Sequence, residues 1–134
     1  MYRLMIFVIL ITMFSCQKKD GPEVVIRSYE KALSSGSSRD LILSYFTKKG
    51  QNIEGNSQTN LSKALIKKIK IIYSNCKQEI CSYTYDIAYK LDNKSNSTMD
   101  VRKQVVLYKE NNLWKIDDIE IIKSYIGNKN PINI

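Results

Sequence analysis

Few residues in this chain could do covalent or proton chemistry. Cysteine occurs three times, at Cys16, Cys76 and Cys81, and histidine is absent. Without an imidazole, no side chain has an ordinary pKa near neutrality, and zinc lacks its commonest nitrogen ligand. No metal or cofactor is expected. Acid–base work would fall to carboxyl and phenol groups. Tyr83, Tyr85 and Tyr89 recur at even spacing with Cys81, Ile87 and Leu91, while Ser82, Thr84, Asp86, Ala88 and Lys90 share the other parity. That period of two predicts a half-buried strand with its tyrosines inward. Asp86 then points away from them, which leaves Asp117 and Asp118 as the acids that a bulge could turn towards the phenols. Large aromatics on one strand face either build a core or line a pocket. Tyr29, Tyr83, Tyr85, Tyr89 and Trp114 are the candidate pocket lining.

The first sixteen residues concern address rather than catalysis. Arg3 is the only charge before Lys18, and residues 4–14 are apolar except for Thr12. A membrane-spanning helix needs about 20 such residues, so this run fits a signal-peptide core instead. Met13-Phe14-Ser15-Cys16 resembles a bacterial lipobox, in which the cysteine is acylated and becomes the new N-terminus; Phe14 departs from the small residue usual there. Gln17-Lys18-Lys19-Asp20-Gly21 follows as a polar tether. Two or three acyl chains on Cys16 would anchor the chain stably in a bilayer. Gln17 after the cysteine favours sorting to the outer membrane, facing the periplasm or the exterior. Export makes Cys76 and Cys81 an even pair in an oxidising compartment. Their spacing admits a structural disulfide, free thiols or a redox or metal pair. The first is preferred, and closing so small a loop would stabilise by about 2 kcal/mol.

The elements that position these residues follow from periodicity. Pro22 suits a helix start, and Val25, Tyr29, Ala32 and Leu33 form an apolar stripe opposite Arg27, Glu30 and Lys31. Gly36 would cap that helix. Ser37 or Ser38 would open a second, with Leu41, Ile42, Tyr45 and Phe46 inward and Lys48 and Lys49 at its end. Residues 50–60 read as a loop and 61–68 as a short helix. Alternation then predicts strands from Ile69, from Cys81, over 101–109 and from Trp114, with a turn at Glu110-Asn111-Asn112. Trp114 and Ile116 differ in parity from Ile119 and Ile121, so a bulge at Asp117-Asp118 is needed to keep all four on one core. The expected fold is α+β: N-terminal helices packed on a curved, antiparallel, four-stranded sheet, shaped as a cone.

Residues 22–33, Asp40 to Thr47 and Leu113-Trp114-Lys115-Ile116 resemble the nuclear transport factor 2-like (cystatin-like) superfamily, and within it the small bacterial lipoproteins of unassigned function. The resemblance spans about Pro22 to Tyr125 and implies fold rather than chemistry. Its enzymes place Asp, His or Tyr inside the cone. The missing histidine removes the His–Asp dyad, so an enzyme here would be a lyase or isomerase pairing Tyr83 or Tyr85 with Asp117 or Asp118.

The chain has 21 basic and 13 acidic residues, a formal charge of +8. A basic surface suits nucleic acid, an acidic polymer or an anionic membrane. Export argues against nucleic acid, and no arginine-rich stripe supports it. The organisation expected is a signal peptide at 1–15, a lipidated cysteine and tether at 16–21, a domain at 22–127 and a tail at 128–134. The expected role is a membrane-anchored, non-enzymatic module binding a small apolar ligand or an envelope protein. A homodimer through Val106 and Tyr108 is the structural alternative.

Overall fold

The computed structural model describes residues 21–54, 65–90 and 97–128. The expected signal peptide, Cys16, the expected tether before Gly21 and the tail after Asn128 lie outside the described residues. Helix α1 (Pro22–Ser34) starts with Pro at its first position and carries Glu23 in its first turn and Lys31 in its last, each complementing the helix dipole. Gly36, at φ 69°, takes the left-handed conformation that ends it. Two shorter helices follow: α2 (Arg39–Leu43), capped by the Ser38 hydroxyl, which accepts from the Leu41 amide, and α3 (Lys48–Glu54). No helix among the described residues is long and apolar enough to cross a membrane.

Four strands make the rest: β1 (Leu65–Lys77), β2 (Ile80–Lys90), β3 (Ser97–Glu110) and β4 (Leu113–Asn128). They form one antiparallel meander in sequence order, so β1 and β4 are its edge strands among the described residues. Two-residue reversals join β1 to β2 and β3 to β4. Asn111 and Asn112, at φ 51° and 63°, make the β3–β4 turn, as expected for paired left-handed residues. On β2, burial alternates residue by residue, with Cys81, Tyr83, Tyr85, Ile87 and Tyr89 inward. Val101, Lys103, Val105 and Leu107 of β3 lie in register with them. Ile26, Tyr29 and Leu33 of α1, with Phe46, cover this inner face.

The expected fold class is overturned in its central feature. Among the described residues the helices build no layer over a cone, and α1 alone lies along the inner face: 59% of these residues are strand, and the helices are short, with 13, 5 and 7 residues. Residues 65–68, assigned to a third helix, instead open β1, because Ile66, Ile69 and Ile71 form one inward row of β-branched side chains against the core. The second helix stops at Leu43. Tyr45–Thr47 turns away to bond backbone to backbone with Ile116: the Ile116 amide donates to Tyr45 O (2.8 Å) and the Thr47 amide to Ile116 O (2.9 Å). Lys48 and Lys49 begin α3 rather than ending α2, and Gly50, expected in a loop, is helical.

The parity break in β4 sits where the spacing required it and keeps Trp114, Ile116 and Ile119 on the core, but Ile121, expected with them, is exposed. Pairing with β3 slips between Ile116 and Asp118, which leaves Asp117 as the extra residue, and slips again at Ile122. The bulge turns Asp117 towards the helices. Its carboxylate accepts from the Thr47 hydroxyl (2.9 Å) and the Lys49 ammonium (3.2 Å). Thr47 in turn caps α3 by accepting from the Gly50 amide at 3.0 Å. Gly50 lies against β4 so closely that a Cβ would stand 2.7 Å from Ile116 O and 3.1 Å from Asp117 O. Those are backbone atoms and cannot swing aside. Gly50→Ala is therefore expected to destabilise by about 1–3 kcal/mol despite alanine's better helix propensity, read as a lower urea midpoint with unchanged slope.

Candidate functional site

The inner face carries one group of polar side chains. Glu30 is the one acid in a stripe, Ile26, Tyr29, Glu30 and Leu33, spaced as one helix face. Its side chain is fully buried. Lys103 on β3 stands directly across from Tyr85 on β2, and its side chain is 4% exposed. The Lys103 ammonium donates to Glu30 Oε1 at 2.7 Å, and the Tyr85 hydroxyl donates to the same oxygen. The Tyr89 hydroxyl donates to Glu30 Oε2 at 3.1 Å and lies 3.4 Å from the lysine nitrogen. One carboxylate thus receives three donors from two strands. No buried side-chain nitrogen or oxygen among the described residues lacks a partner.

The electrostatics are one-sided. Burial, followed by the adjacent Glu30 charge, pushes the Tyr85 and Tyr89 phenols well above their ordinary value. Burial likewise raises Tyr83. The phenols therefore stay protonated and donate. This arrangement holds a carboxylate inside a protein. It presents no free base or acid to solvent, because every polar tip is turned on another.

The predicted site residues divide. Tyr29, Tyr83, Tyr85 and Tyr89 are together on the inner face and buried, packed among aliphatic side chains with Tyr29 edge-on to Phe46. Trp114, near the β3–β4 turn, is half-buried and packs against the same core from its margin, with the Lys109 ammonium 5.8 Å from its ring centroid. Asp117 and Asp118 are not brought to the tyrosines: Asp117 binds Thr47 and Lys49, and Asp118 is exposed. Cys76 and Cys81 face each other across the β1–β2 pair with sulfurs 2.12 Å apart, a disulfide distance. Cys16 lies outside the described residues. Glu30 and Lys103 were missed, Glu30 having been placed on the solvent side of its helix. Both were signalled in the spacing. An acid within a helical stripe and a lysine at the parity of Val101, Val105 and Leu107 name each other as partners.

No family model and no curated protein matches the chain. Among solved structures it is similar to a SEC-C motif containing protein from Rhodopseudomonas palustris, with a TM-score of 0.60 and 11% identity over 80% of this chain and 83% of that one. At that identity the likeness concerns fold alone.

The buried pair makes its own stability test. Truncating either partner strands the other charge, so Glu30→Ala and Lys103→Ala should each cost about 3–5 kcal/mol in urea denaturation, whereas Glu30→Leu with Lys103→Met should recover much of that loss. A second test uses the phenols. The unfolded chain releases their protons near the ordinary value of 10.0, while the folded chain retains them. Unfolded protein then binds fewer protons, so stability should fall as pH climbs above that point. Absorbance titration of the nine tyrosines should show Tyr85 and Tyr89 ionising only with unfolding, and Tyr89→Phe should flatten the alkaline slope.

Proposed function

We propose that this chain is a lipid-anchored protein of the bacterial cell envelope, held at the outer membrane by acylated Cys16, and that it is a non-enzymatic module binding another envelope protein. The observation carrying this reading is the closed polar cluster. Glu30, Lys103, Tyr85 and Tyr89 satisfy one another inside the fold, so recognition falls to the outside of the sheet. Buried tyrosines likewise favour a partner docking outside over a small apolar ligand within. Export and the lipobox-like Met13-Phe14-Ser15-Cys16 support the address.

The outer face of β3 offers Tyr108, 39% exposed, beside half-buried Val106. Tyrosine suits an interface because it adds contact area while keeping a hydroxyl for water or a partner. The test places a photo-crosslinking amino acid at Tyr108, or at Lys31 as control, in the full chain within its native envelope. The expected product is an adduct with a different envelope protein from position 108 and none from 31. An adduct with a second copy would replace this reading by the homodimer. A stoichiometric apolar molecule in native mass spectrometry of the purified chain would replace it by a ligand carrier.

A further inference from the structure

We propose that the free edge of β1, through Lys67, Lys68, Lys70, Ile72 and Tyr73, is a docking surface for the anionic headgroups of the bilayer that anchors the chain. The inference rests on the lipid-anchor reading of Cys16 and adds the orientation of the domain against its membrane.

Strand β1 is two-faced. Ile66, Ile69 and Ile71 pack against the core, while Lys67, Lys68, Lys70 and Lys77 are exposed and no acid interrupts them. Pairing with β2 slips between Ile66 and Lys68 and again between Ile71 and Tyr73, so Lys67 and Ile72 have no residue opposite. From Ile72 to Lys77 every residue is exposed, with Ile72 at 43% and Tyr73 at 58%. Bulges and lysines on an edge obstruct the addition of another strand. They do not obstruct a lipid surface, where lysines meet anionic headgroups and an isolated isoleucine and tyrosine enter the interface.

Two acids near this edge are already matched. Asp86, across from Lys70, accepts from two Arg102 nitrogens at 2.8 and 3.0 Å, and Glu23 is paired with Arg27 at 2.8 Å. Glu79, in the β1–β2 turn, adds an exposed negative charge to the stapled tip.

Position agrees with composition. Helix α1, which the chain enters at Pro22, lies against β1, the strand whose second half is exposed. Residues 17–21 reach on the order of 20 Å at full extension, which keeps that half within range of the headgroups.

The test adds the full chain to phosphatidylcholine vesicles with and without phosphatidylglycerol and follows lysine acetylation by mass spectrometry. Lys67, Lys68 and Lys70 should react several-fold more slowly than Lys31 only when phosphatidylglycerol is present, and high salt should abolish the difference. Lys67→Glu with Lys70→Glu should remove the protection of Lys68, since each lysine near such a surface is worth about fivefold in binding. Equal rates on both vesicles, with Cys16 acylated, would overturn the docking and leave the anchor standing. Phosphatidylglycerol-dependent protection in a chain whose Cys16 incorporates no palmitate would uphold the docking surface and overturn the anchor. Protection without phosphatidylglycerol that rises with protein density would overturn the proposal in favour of a second copy.

Discussion

An ionised carboxylate in a protein interior is tolerated only where several donors replace its water. Glu30 meets that requirement with donors from Lys103, Tyr85 and Tyr89, and doing so restricts the arrangement of everything around it. The helix must be rotated so that Glu30, not Arg27 or Lys31, faces the sheet. Strands β2 and β3 must hold a register that sets Tyr85 opposite Lys103, because a slip of one residue would carry the lysine to the outer face and strand the acid. Apolar packing alone tolerates small shifts of a helix across a sheet. A hydrogen-bonded ion pair with two phenols does not, so the cluster selects one docking geometry for α1.

The bulge at Asp117 does comparable work at the other helices, with a cheaper device. One extra residue in β4 keeps Ile116 and Ile119 on the same core and turns a carboxylate towards Thr47 and Lys49. Thr47 then caps α3, and Gly50 lets that helix lie against the strand backbone. Here the acid stays near solvent, where pairing costs little desolvation. The two carboxylates show how position decides role. Glu30 orders the interior because it has no water, whereas Asp117 joins elements at the rim because it has some.

Much of this could be read from spacing and some could not. The alternation of Cys81, Tyr83, Tyr85, Ile87 and Tyr89, the asparagine turn, the left-handed Gly36 and the bulge near Asp117 each follow from a local rule of period or backbone sterics. The pairing distance of Cys76 and Cys81 follows from the same hairpin register. What failed depended on partners far away in sequence. Glu30 reads as solvated when its helix is taken alone, since nothing nearby announces a lysine 73 residues later. Residues 65–68 suit a helix by propensity, but the inward row of isoleucines draws them into β1. The expected helical layer failed for a related reason, because the chain after Leu43 bonds to Ile116 instead of prolonging a helix.

The same cluster bears on where function can reside. A polar group able to act on a substrate must keep a lone pair or a proton free, and desolvated groups that satisfy one another keep neither. Among the described residues the polar side chains of the inner face are matched to one another, while Lys67, Lys68, Lys70 and Lys77 stand exposed along β1 with no acid between them. That division has a physical origin in the sheet's order. As an edge strand, β1 has one free flank, so its side chains can be basic and irregular without disturbing a ladder on that side. Central strands have no such freedom: on β2 and β3 an outward Asp86 must find Arg102, and an inward Lys103 must find Glu30. Exposed lysines without an intervening acid are therefore tolerated on β1, a strand that the closed interior holds in place.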